Sequence, residues 1–112
     1  MTHHHIDYIE FPASKIQDTK AFYSNVFGWK FTDYGPDYVS FENAGVNGGF
    51  TTDLPCPGAG TLIVLYSADL AATETGIVKA GGVIVKPVFE FPGGRRFHFT
   101  DPNGNELAVW SE

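Results

Sequence analysis

Apolar and polar positions alternate through most of the chain, and helical spacing interrupts that alternation twice. After Met1-Thr2-His3-His4-His5, the run Ile6-Asp7-Tyr8-Ile9-Glu10-Phe11 is β-prone, and Pro12 limits how far it continues as a central strand. Ser14 stands three residues before Gln17, the spacing of a capping box, and Ile16, Thr19, Tyr23, Val26 and Phe27 then recur on one helical face. With Gly28 as its stop, a helix is expected over 15–27. Alternation resumes in Trp29-Lys30-Phe31-Thr32-Asp33-Tyr34, followed by a Gly-Pro turn. Two more strands, 38–42 and 46–52, are joined by Asn43-Ala44-Gly45.

A loop rich in Pro and Gly, 53–60, separates this half from the next. Thr61-Leu62-Ile63-Val64-Leu65-Tyr66 is almost wholly apolar, as in a strand covered on both faces. A second helix is expected over 69–80, opening near Ser67 and ending at Gly81-Gly82, then a strand over 83–91. The last two strands, 96–100 and 106–110, flank Asp101-Pro102-Asn103-Gly104-Asn105, where Pro presets one dihedral and Asn-Gly tolerates positive φ. Residues 15–31 lie over 69–85 without a gap, each span being a capped helix, a Gly stop and a strand. The expected fold is therefore α+β: two βαβββ repeats form a curved, mostly antiparallel eight-stranded sheet around a cleft, with two helices outside. Residues 1–112 read as one domain, with repeat units of about 4–52 and 60–111.

Composition narrows the partners. Thirteen acidic against seven basic residues, for a net charge of −6, oppose attraction to nucleic acid and to anionic membranes. There is no run long enough to span a bilayer and no signal-peptide pattern, so a cytoplasmic location is expected. The single Cys56 lies in Leu-Pro-Cys-Pro-Gly without a local cation to stabilise a thiolate, and reads as structural.

Three stretches carry a family resemblance: Ala21-Phe22-Tyr23-Ser24-Asn25-Val26-Phe27-Gly28-Trp29, Ala80-Gly81-Gly82-Val83, and Asp101-Pro102-Asn103-Gly104-Asn105 before the final strand. In this order and spacing the chain resembles the vicinal oxygen chelate superfamily of glyoxalases, bleomycin-resistance proteins and extradiol dioxygenases. The resemblance implies a homodimer, with clefts made within or across chains. It also implies, for the metal enzymes, a divalent ion held by His, Glu or Gln on the first, fourth, fifth and eighth strands. Those places fall near Tyr8, near Gly49, near Ile63 (Leu62 one register away) and at Ala108, none an ordinary ligand. No cofactor is therefore expected.

The remaining polar groups are candidates for acid–base work. Tyr8 and Glu10 share one face of the first strand, and Glu106 shares a face with Ala108 and Trp110 on the last. A carboxylate in an apolar cleft has its charged form disfavoured and can exchange protons near neutral pH. Glu10, Tyr8 and Glu106 are thus the expected catalytic groups, and Phe50, Ile63, His98, Ala108 and Trp110 the ligand-binding ones. Tyr8 and Phe89 are further aromatics suited to stacking, and Gly93-Gly94-Arg95-Arg96 reads as an anion cradle or a solvated hairpin entrance. His3 and His5, alternate residues of an extended lead-in, suit at most adventitious nickel or zinc. The leading expectation is a metal-independent binder of a small organic molecule. A metal-dependent lyase or dioxygenase is the alternative, and a dimeric protein-interaction module the third.

Overall fold

The computed structural model describes residues 2–112. Its order is β1 (Tyr8–Pro12), α1 (Ile16–Phe27), β2 (Lys30–Asp33), β3 (Tyr38–Glu42) and β4 (Asn47–Thr51). The second set is β5 (Ile63–Tyr66), α2 (Leu70–Lys79), β6 (Val83–Phe91), β7 (Gly94–Thr100) and β8 (Glu106–Ser111). These are the two βαβββ units. Their strands form two four-stranded sheets, ordered β1-β4-β3-β2 and β5-β8-β7-β6. In each, the first strand runs parallel to the fourth and the other pairs are antiparallel.

One apolar cluster joins the repeats. Phe11, Val39, Phe41 and Phe50 of the first sheet meet Phe97, Phe99, Leu107 and Val109 of the second around α1. Tyr23 stacks on Trp29 at 4.6 Å and lies 5.1 Å from Phe50, while Phe22 and Phe27 lie 6.1 Å from Phe99. Aromatic groups of this size each bury a large apolar area, and they dominate the core here. No helix among the described residues is long and apolar enough to cross a membrane.

Several expectations are corrected. Ser14 does not open a capping box: α1 starts at Ile16, Lys15 is its N-cap, and no local side chain caps it. The carboxamide of Asn103, from the far end of the chain, instead accepts from the Ser14 and Lys15 amides at 2.9 and 3.1 Å. Gly28 does end α1, with φ of 74° and its amide donating to the Ser24 carbonyl. Strand β5 is not covered on both faces. Ile63 and Leu65 pack on the core, whereas Val64 and Tyr66 are 42% and 53% exposed, because β5 is an edge strand paired only with β8. The N-terminal histidines do not project from a strand: His5 N–H donates to the Thr2 carbonyl, and His3 stacks on His4 in a turn.

Candidate functional site

Alternation places every second residue of each sheet on the face turned from the core, and pairing register says which of them adjoin. On the second sheet, Phe89, Arg96, Trp110 and Tyr66 form one row across β6, β7, β8 and β5. Lys86, His98, Ala108 and Val64 form the next, and Glu106 stands beyond Ala108. His98 is 3% exposed, its Nδ1 is 2.8 Å from Glu106 Oε2, and its buried Nε2 has no partner among the described residues. Glu106 therefore orients an imidazole whose other nitrogen is left to bind or to exchange a proton. The Arg96 guanidinium lies 5.3 Å from the Phe89 ring centroid and 5.6 Å from that of Phe91, with a buried and unpartnered Nε.

The corresponding face of the first sheet is internally bonded. Tyr38 Oη donates to Glu10 Oε2 at 2.7 Å and meets Tyr8 Oη, so Tyr38 links the two first-strand candidates. Its ring crosses Gly49, where a Cβ would fall 2.4 Å from the Tyr38 hydroxyl oxygen. Partial burial, then the bonds to Tyr8 and Glu10, raise the Tyr38 hydroxyl above the ordinary phenol range and keep it a donor. Sequence reasoning missed Tyr38 because nothing in a single strand says that a tyrosine two strands away reaches back across a glycine.

The two sheets leave a seam between β1 and β5. A cavity of about 540 Å³ there is lined by Ile9, Phe11 and Ile63, by the 54–61 loop, and by both Glu10 and Glu106. A second seam cavity, about 410 Å³, shares Ile9, Phe11 and Ile63 and is otherwise lined by core aromatics such as Trp29 and Phe41. The structure thus brings Glu10, Glu106 and Ile63 to one cavity, while Trp110 lines a different one. Phe50 is not on a ligand face: it is 0% exposed in the core, stacked 5.2 Å from Phe11. Ala108 is likewise fully buried, beside His98.

The register also tests whether these strands suit a divalent ion. Gly49 pairs with Glu10, and Ala108 pairs with Val64 rather than with Ile63, which pairs with Leu107. On the faces turned from the core, Glu10 therefore adjoins Gly49 in the first sheet, and Val64 adjoins Ala108 in the second. These four positions offer one carboxylate and three groups with no side-chain donor. That donor set does not fit a metal ion. Among the described residues, no three His, Cys, Asp or Glu side chains gather elsewhere as a metal-binding group.

Residues 5–109 match the Glyoxalase/Bleomycin resistance protein/Dioxygenase superfamily. Among solved structures, a glyoxalase-related enzyme from Fulvimarina pelagi aligns with TM-score 0.84 and 18% identity over 97% of this chain and 88% of that one. The antibiotic binding protein TnmS3 from Streptomyces sp. CB03234 aligns with TM-score 0.76 and 21% identity, covering 99% and 98% of the two chains. Lactoylglutathione lyase from Agrobacterium tumefaciens aligns with TM-score 0.73 and 19% identity over 96% and 93%. These likenesses are of fold. No protein of curated function matches the chain.

Proposed function

The chain belongs to the Glyoxalase/Bleomycin resistance protein/Dioxygenase superfamily, and on that premise we propose that it binds a small, largely apolar organic molecule without a metal ion. The site is the seam cavity of about 540 Å³, and one observation carries the reading: two carboxylates, Glu10 and Glu106, stand on an otherwise mainly apolar wall. Such a cavity is of ligand size, with few polar groups to orient its occupant. Its carboxylates suit hydroxyl or amine substituents of the ligand. An antibiotic binding protein with this fold is consistent with that use. Acid–base chemistry here would run through Glu106 and its buried partner His98, with Tyr38 holding Glu10 and Tyr8 in place.

The test is thermal shift with a panel of neutral and cationic aromatic compounds. A ligand is expected to raise Tm of the wild type and to have no such effect on Ile63→Trp, which fills the cavity. A panel that never shifts Tm, or shifts Ile63→Trp equally, would overturn the assignment. A stoichiometric ion needed for binding or turnover would overturn its metal independence. We also propose that the chain forms a homodimer, supported by the exposed apolar residues of the edge strands β5 and β6, Val64, Val83, Val85 and Val88 among them. Light scattering is expected to return twice the chain mass, and a monomer at all concentrations would refute it.

A further inference from the structure

A separate cavity of about 340 Å³ lies on the free face of the second sheet, lined by Val64, Phe91, Pro92, Gly93, Arg96 and Trp110. It shares no residue with the cavity assigned above. Arg96 is its one charged wall. A guanidinium stays charged at any physiological pH, yet the Arg96 side chain makes no ion pair or hydrogen bond with the described residues, and its Nε is buried. An unpaired arginine is unexpected in a chain with a net charge of −6.

The carboxylates nearby in sequence do not pair with Arg96. Glu90 stands opposite Arg95 in the strand register, on the face turned away from Phe89 and Arg96. Glu112 accepts a hydrogen bond from Tyr66 Oη at 2.8 Å. The rings of Phe89 and Phe91 hold the guanidinium plane by cation–π contact but do not neutralise it. Beside it, Trp110 makes edge-to-face contacts with Phe91 at 6.3 Å and with Tyr66 at 5.1 Å, so the cavity has an aromatic wall next to a planar, forked cation.

We propose that this cavity binds an aromatic monocarboxylate, with the carboxylate held bidentately by Arg96 and the ring packed against Trp110 and Phe91. Carboxylate geometry matches the guanidinium fork, and a flat ring matches the wall. A phosphate would bring a second charge that no other wall of the cavity can meet. Of the Gly93-Gly94-Arg95-Arg96 motif, only Gly93 and Arg96 serve the site, since Arg95 projects from the other face.

Calorimetric titration of the full chain with 2-naphthoate, its neutral isostere 2-naphthamide and 2-naphthyl phosphate tests this. In the wild type the acid is expected to bind at least about tenfold more tightly than the amide. Arg96→Gln should erase that preference, Arg96→Lys should keep part of it, and Trp110→Ala should weaken acid and amide alike. Binding should persist in Ile63→Trp, which separates this site from the seam cavity. Equal wild-type affinities for acid and amide would overturn the proposal without any variant. So would a preference retained by Arg96→Gln, tighter binding of the phosphate, or loss of naphthoate binding in Ile63→Trp.

Discussion

The two repeats each turn a hairpin on an Asn and a Gly, and the two turns do different things. In the first, Asn43 and Gly45 take positive φ at the surface, and the Asn43 amide reaches only the Gly28 carbonyl at 3.1 Å. In the second, Asp101, Asn103 and Asn105 are all buried. Asp101 Oδ1 accepts from the Asn103 and Asn105 amides, and its Oδ2 accepts from Tyr23 Oη at 2.9 Å. Asn103 caps α1, and its amide nitrogen donates to Thr19 Oγ1. Asn105 donates to the Pro12 carbonyl and accepts from the Gly58 amide, each at 2.8 Å. Equivalent turn chemistry thus serves local reversal in one repeat. In the other it fastens β1, α1 and the 53–60 loop to the second sheet.

The contrast can be broken at its centre. Asp101→Ala leaves the Tyr23 hydroxyl and two backbone amides buried without an acceptor, at about 1–3 kcal/mol for each. A loss of roughly 3–9 kcal/mol in urea-unfolding free energy is expected, against less than about 1 kcal/mol for Asn43→Ala. Equal losses at the two turns would refute the difference in role. Asn103→Ala should fall between them, near 1–2 kcal/mol, because it removes the cap of α1.

pH sharpens the same point. Burial raises the Asp101 carboxyl above the ordinary carboxylate range, against the lowering pull of its donors Tyr23, Asn103 and Asn105. The folded protein then holds that proton more tightly than the unfolded chain does. The stability Asp101 contributes this way is fully present below about pH 4, its ordinary value, and is lost as pH rises through the raised one. Relative to Asp101→Asn, the wild type should therefore lose stability as pH rises from about 4, read from urea midpoints of both proteins. A relative gain would mean that the donors outweigh burial. The smallest effect is expected on the first sheet, where Tyr38→Phe breaks the exposed links to Tyr8 and Glu10 at a cost below about 1 kcal/mol. A larger loss would make that face as structural as the buried turn.

The free faces of the sheets repeat the lesson. Glu10, Tyr8 and Tyr38 satisfy one another on the first, while Arg96 Nε and His98 Nε2 are left without partners on the second. Periodicity placed β6 over 83–91 and the β3 strand over 38–42, both with the observed ends, and it set Glu106, Ala108 and Trp110 on one face. It could not show that Glu106 reaches His98, because those side chains meet across a hairpin register. Nor could it show that Phe50 is core: alternation separates two faces without saying which one the helices cover.

Local chemistry in the chain determined the order of the elements, the repeat and the superfamily, since propensity, capping glycines and alternation act over neighbouring residues. The capping of α1 was decided elsewhere. Ser14 had the right spacing, but the Ser14 and Lys15 amides went to Asn103, about ninety residues away, once the core had brought the last turn beside them. The same holds for the cavities. Glu10 and Glu106 line one space because two sheets that share a core do not share hydrogen bonds along their seam, whereas Arg96 lines another on the second sheet alone. Long-range packing chooses partners among side chains whose directions local structure has already set.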